Sequence, residues 1–163
     1  MDAHVVKKVI ETAWTKAPYP GDENLRGGGG GLEAEQVADF LRGKEWKDVS
    51  LTSLQSEYVG DGSACLSFLS AAAYRYYLPA YMLIAVDHYD DADVIADSAW
   101  SSLSPSYPEG SEMYVWWHDR VSGFSSEQIR AIVEFLRFMD SAHGEAYPLE
   151  GPKDAIPFWV AKL

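Results

Sequence analysis

The sequence feature that most constrains the fold is the longest apolar and aromatic run of this 163-residue chain, residues 67–86. Ser70 stands at the position of a helix N-cap, because a serine hydroxyl accepts hydrogen bonds from the free backbone N–H groups of a first helical turn. Pro79 divides the run, since the residue before a proline avoids helical angles and proline favours the first position of a helix. We therefore expect two helices that meet at a corner near Leu78 and form the core.

Other segments carry helix signals of their own. Residues 2–16 place Val, Ile and Trp at helical spacing opposite Lys and Glu, and Asp2 precedes them as a cap. Residues 33–42 form a second amphipathic segment. Ser125 and Gln128 have the spacing of a capping box, in which each side chain binds the other residue's backbone N–H. These patterns predict three further helices.

Two segments are less regular. Residues 17–32 contain two prolines and a run of five glycines, which predict a mobile loop. Residues 113–121 are rich in aromatic residues that favour sheet but show no alternation, so that strand and helix both stay open. Because the length fits one domain, we predict an all-α, or nearly all-α, compact single-domain bundle of about six to eight helices spanning residues 1–163.

The charge balance excludes some classes of partner. The chain has 25 acidic and 13 basic residues and a formal net charge of −12, which repels phosphate backbones and anionic lipid headgroups. We therefore predict no nucleic-acid or membrane binding. The same charge favours a cationic partner, and the alternative is that it serves only solubility.

Three features of the sequence bear on the cellular compartment: its cysteine content, its first residues and the length of its apolar segment. Cys65 is its one cysteine, so no internal disulfide forms, which suits a reducing cytoplasm. The first eight residues do not have the charged-then-apolar order of a secretion signal. The apolar segment 78–86 is about half the length that a membrane-spanning helix needs. We predict a soluble cytoplasmic protein.

Motifs for catalysis or metal binding are weak. The glycine run lacks the lysine of a phosphate-binding loop, and the four histidines do not have zinc-ligand spacing. The acidic segment around His88 has carboxylates that could bind a hard cation but lacks the glycine and distal glutamate of an EF-hand. Apolar neighbours of Cys65 favour a buried, unreactive thiol. We predict no catalytic residue, no metal site and no cofactor, which favours a role other than catalysis.

Aromatic clusters supply the candidate binding residues. Residues 116–120 combine two tryptophans with an ionisable pair, which could line a pocket, although adjacent helical residues do not face one another as a dyad would. Tyrosine and arginine are enriched at interface hot spots, while core packing is the alternative for tyrosines at helical spacing. The candidate binding residues are Tyr19, Asp22, Tyr74, Arg75, Tyr81, Trp116, Trp117, His118 and Asp119.

Three segments resemble the landmarks of a family of small bacterial proteins known only as a domain of unknown function. They are Pro-Tyr-Pro-Gly-Asp-Glu-Asn at 18–24, Phe-Leu-Arg-Gly-Lys-Glu-Trp at 40–46, and the run at 66–81 that ends in Tyr-Arg-Tyr-Tyr-Leu-Pro-Ala-Tyr. The resemblance covers most of the chain. It implies a bacterial, mostly helical, single-domain protein, and it carries no activity or catalytic residue with it.

The leading functional prediction is an acidic protein-binding module whose partner is a more basic protein, such as an immunity protein that neutralises a basic bacterial toxin. One alternative is a small enzyme or a ligand- or metal-binding domain, with its site at Tyr19, Trp116, His118 and Asp119 or at the acidic cluster near His88. Another is a structural or self-associating subunit.

Overall fold

The structure, a computed structural model, describes all of residues 1–163 and is 68% helical with no strand. The predicted all-α fold class is confirmed. The α-helices are α1 (Ala3–Trp14), α2 (Gly31–Leu41), α3 (Leu51–Ser56), α4 (Cys65–Phe68), α5 (Ala71–Asp87), α6 (Tyr89–Ala92), α7 (Val94–Ser101), α8 (Glu112–Val121), α9 (Ser126–His143) and α10 (Pro152–Val160). None of these helices has the length and apolar composition needed to cross a membrane.

The chain divides into two compact units. The terminal unit comprises Met1–Lys16 and Trp100–Leu163, and the mid-chain unit comprises Ala17–Ala99. Each has its own buried aromatic side chains, among them Trp14 and Trp159 in the terminal unit and Tyr74 and Tyr77 in the mid-chain unit. The organisation into a single domain stays a prediction.

Helix α5 forms the core of the mid-chain unit. Ser70 caps it, accepting from the backbone N–H of Ala73 at 3.1 Å, and most of its side chains from Ala73 to Ala85 are buried. The prediction of two helices divided at Pro79 is wrong, because α5 continues through that proline. Pro79 removes one backbone hydrogen bond, but a helix that is apolar on nearly all sides gains more free energy by continuing through the core than it loses at the proline.

A turn after α2 is held by two tyrosines of other segments. The hydroxyl of Tyr77 donates to the backbone oxygens of Leu41 and Lys44, at 3.1 and 2.7 Å. The hydroxyl of Tyr19 accepts from the backbone N–H of Gly43 at 3.0 Å. Gly43 has a φ of +72°, the left-handed conformation that glycine adopts after a helix. The three landmark segments at 18–24, 40–46 and 66–81 therefore meet at this turn.

The predicted loop at 17–32 contains local structure. It includes a short 3₁₀ turn at Asp22–Asn24, and the backbone N–H of Gly27 donates to the carbonyl of Phe68 at 2.8 Å, beside an isolated bridge between Arg26 and Leu69. Gly30 has a φ of +93°, and a Cβ there would lie 2.7 Å from the Phe68 ring. Glycine is thus required at that position by both conformation and space. The mobility of the loop stays a prediction.

The terminal unit is built on α9, against which α1 and α10 pack. Asp2 caps α1 as predicted, and the capping box of Ser125 and Gln128 that begins α9 is confirmed. In its core, Phe124 makes edge-to-face contacts with Trp14 and Trp159, with ring centroids 6.0 and 5.7 Å apart. These buried rings form part of the core of the terminal unit, which also contains α8.

Candidate functional site

Helix α8 carries four of the predicted binding residues. The segment left open between strand and helix is helical, because Ser111 accepts from the backbone N–H of Tyr114 at 3.1 Å and Glu112 lies in the positively charged first turn. Tertiary contacts of its tryptophans then outweigh their preference for sheet. The helix therefore presents consecutive aromatic residues on different faces.

The inner face of α8 is fixed by Trp117. Its side chain is buried, its indole N–H donates to the carbonyl of Ser102 at 2.9 Å, and its ring packs against Phe158 with centroids 5.0 Å apart. Since a buried indole needs a hydrogen-bond acceptor, this bond sets the rotation of the helix. Trp117, a predicted binding residue, is thus a packing residue in this structure.

Trp116 precedes Trp117, lies about 100° from it around the helix axis and is partly exposed. The guanidinium of Arg120 stacks over its ring at 4.4 Å from the centroid, and Tyr107 meets it edge-to-face at 6.5 Å. Arg120 is itself only 4% exposed. The cation–π contact therefore holds the Trp116 ring in place and keeps the arginine from the surface.

An open groove of about 390 Å³ runs beside α8 and is lined by Tyr114, Val115, His118, Asp119 and Ser122. The His118 ring stacks on Tyr114, with centroids 5.6 Å apart and planes inclined by 21°. The hydroxyl of Ser122 bonds back to the His118 carbonyl and lies 3.1 Å from the imidazole Nδ1. That local bond satisfies the hydroxyl at the end of the helix and does not orient it toward a substrate. The groove suits a side chain or a small apolar ligand.

The remaining predicted residues lie in the mid-chain unit. Tyr74 and Tyr81 are buried, and the Tyr81 hydroxyl donates to the Gly62 carbonyl at 3.1 Å. Arg75 on α5 is partly exposed. Tyr19 and Asp22 are joined by a short hydrogen bond from the phenol to the carboxylate, and burial raises the pKa of Tyr19. These two residues take part in the turn described above.

Metal and thiol chemistry have little support. No group of three or more His, Cys, Asp or Glu side chains is placed to hold a metal ion. The acidic residues near His88 are exposed on and around α6. Cys65 is buried as predicted, and burial raises the pKa of its thiol, which leaves less of the nucleophilic thiolate.

Sequence reasoning missed Glu112, Tyr114 and Val115 on α8 and the groove residue Ser122, which is the C-cap of that helix. Their signal is helical spacing: Glu112, Val115, Trp116 and Asp119 stand at i, i+3, i+4 and i+7 and share one face. That pattern becomes readable only once the segment is known to be a helix.

The fold and this surface define a class: an all-α protein with an exposed apolar and acidic helix face. The chain belongs to a family of unknown function, DUF6714, whose model matches residues 30–163. The family match includes the landmarks at 40–46 and 66–81, and the landmark at 18–24 precedes it. No curated protein and no solved structure shows significant similarity to the chain.

Proposed function

We propose that this protein is an acidic protein-binding module that engages a more basic protein. The observation that carries the proposal is the charge pattern from Tyr76 to Asp119, which contains eight Asp and Glu residues and no Lys or Arg. Several of these carboxylates are exposed, and those of α6 follow one another along a single turn. Exposed carboxylates in a sequence stretch without Lys or Arg attract cationic partners and repel anionic ones.

The charge is unevenly distributed along the chain. Residues 17–99 contain 14 acidic and five basic residues, and so carry −9 of the total of −12. At least three of the five basic residues there form ion pairs, namely Arg26 with Glu35, Arg42 with Asp39 and Lys44 with Glu57. These pairs are largely exposed and add little stability, and the remaining carboxylates leave the unit with an excess negative charge that attracts cationic partners.

An immunity protein that neutralises a basic bacterial toxin is the specific form of this proposal. Such a protein has to associate quickly with a cationic partner in the cytoplasm, and electrostatic attraction raises association rates. The single buried cysteine is compatible with a reducing compartment.

A second candidate function is small-ligand binding in the groove of α8, favoured by its volume of about 390 Å³ and by the lining residues His118 and Asp119. A ligand that binds only the folded state raises the melting temperature. A thermal-shift screen with divalent cations and small metabolites tests this candidate, and His118→Ala should abolish any shift that arises in the groove.

The test of the main proposal is a tagged pull-down from lysate of the source organism at low and at high salt, read by mass spectrometry. We expect one basic protein to be enriched at low salt and reduced at high salt, since salt screens exposed charges. Enrichment of an acidic protein, or of no protein at either salt concentration, would count against the proposal.

A further inference from the structure

The outward face of α8 has a regular chemical pattern. Glu112, Val115, Trp116 and Asp119 form one exposed stripe, defined here as the α8 stripe, in which two apolar residues lie between two carboxylates. Val115 is 62% exposed and Trp116 is 38% exposed. Neighbouring apolar side chains at the centre with charges at the rim are typical of a protein interface.

Trp116, the largest side chain of the stripe, is held in place by its neighbours. Arg120 and Tyr107 contact the Trp116 ring, and buried Trp117 fixes the rotation of the helix beneath it. A partner therefore need not order the Trp116 side chain on binding, which reduces the entropic cost of association. The groove that runs past Val115 lies beside the stripe and provides space for an inserted side chain.

The charges of the stripe indicate which kind of partner binds there. Arg120 is the basic residue of α8, and its guanidinium is turned onto Trp116 and away from solvent. Glu112 and Asp119 are seven residues apart and so lie about 10 Å from one another along the helix axis. A second copy of this chain is a poor occupant, because each copy has a net charge of −12 and the stripes would bring carboxylates together.

We propose that the α8 stripe is the contact surface for an amphipathic basic helix of the partner, which places two apolar side chains against Val115 and Trp116. Its Lys or Arg residues, also seven positions apart, pair with Glu112 and Asp119. This inference rests on the proposed function and deepens it, because it names the surface and the chemistry of the segment that binds there. The apolar contact supplies affinity, and the carboxylates select for positive charge.

The test uses the full chain and a synthetic helical peptide with Lys at positions i and i+7 and Leu at i+3 and i+4. One control peptide replaces the Lys residues by Glu, and another replaces the Leu residues by Ser. Binding is followed by NMR titration of the isotope-labelled protein. We expect saturable shifts at α8 with the Lys and Leu peptide, and at least about tenfold weaker binding of either control peptide.

A pair of valine substitutions locates the surface. Val115→Lys places a cation at the centre of the stripe and should weaken binding of the Lys and Leu peptide about tenfold or more. Val160→Lys is the matched control, because Val160 is also helical, is 41% exposed, and lies in the same unit on α10. Both substitutions change the net charge equally, so Val160→Lys should alter the affinity by less than about twofold.

Several outcomes would overturn the inference. Equal loss in both variants would show that general charge, and not the α8 stripe, attracts the peptide, and it would leave the proposed function standing. Absence of binding by the Lys and Leu peptide, or a self-associated form that Val115→Lys dissociates in sedimentation, would likewise reject the assignment of this face. Binding of the Glu peptide as tight as that of the Lys peptide would also contradict the proposed function.

Discussion

At the scale of single residues, buried tyrosines determine which segments of the mid-chain unit are joined to one another. Tyr77 joins α5 to the turn after α2 through two backbone oxygens, and Tyr81 bonds the carbonyl of Gly62. A phenol fills apolar space with its ring and satisfies a backbone acceptor with its hydroxyl, so each of these residues performs both roles. The sequence shows aromatic residues at these positions, but it does not show which backbone groups they reach.

The first prediction concerns Tyr77→Phe, which removes only the hydroxyl. We expect the free energy of unfolding to fall by about 1–3 kcal/mol, because the buried oxygen of Leu41 and the partly buried oxygen of Lys44 lose a donor. Tyr107→Phe is the control, since Tyr107 is partly exposed and contacts Trp116 through its ring. Urea denaturation measures both variants, and equal stability of the two would contradict the role given to the Tyr77 hydroxyl.

The second prediction concerns alkaline pH. Burial raises the pKa of Tyr58, Tyr76, Tyr77 and Tyr81 in the folded state. Above pH about 10 the unfolded chain loses these protons while the folded chain retains them, so the free energy of unfolding falls as pH rises. The melting temperature should change little between about pH 7 and pH 9 and then decrease steeply above about pH 10. A melting temperature that stays constant beyond this range would argue against the burial of these phenols.

The elements differ in how well local sequence predicts them. The Ser125 and Gln128 capping box predicted the start of α9, because a cap depends only on residues within one turn. Pro79 misled the prediction for α5, since its local preference is outweighed by burial on nearly all sides of that helix. The α8 face was recognised in part, through Trp116, His118 and Asp119. Its stripe could not be predicted while the segment was left open between strand and helix, although the Ser111 cap that begins α8 is a local signal in the sequence.

The third prediction belongs to α9. Ser125→Ala removes the hydroxyl that accepts from the Gln128 backbone N–H at 3.2 Å, and we expect a loss of about 1 kcal/mol in the free energy of unfolding. The neighbouring Ser126→Ala is the matched control, because that exposed residue lies inside the helix and should tolerate alanine without loss. Thermal and urea unfolding compare the two, and a larger loss for Ser126→Ala would contradict the capping assignment.

The whole molecule combines a confirmed all-α fold with a surface that is strongly acidic and locally apolar. Composition was enough to predict the sign of the charge, and the structure adds that α8 turns its basic Arg120 inward and its carboxylates outward. Two properties of the surface therefore act over different distances. We propose that the net charge of −12 attracts a cationic partner over a long distance and that the α8 stripe then provides the contact surface.

The most direct test of the proposed function is the dissociation constant of the complex with the purified basic partner from the pull-down. It is measured at about 50 mM and at about 500 mM salt, because the Debye length falls severalfold between these concentrations. We predict that the dissociation constant increases about tenfold or more over this range for the native chain. It should already be about tenfold higher at low salt for Val115→Lys, with Val160→Lys close to the native value. A dissociation constant independent of salt would contradict the proposal that the acidic surface drives recognition.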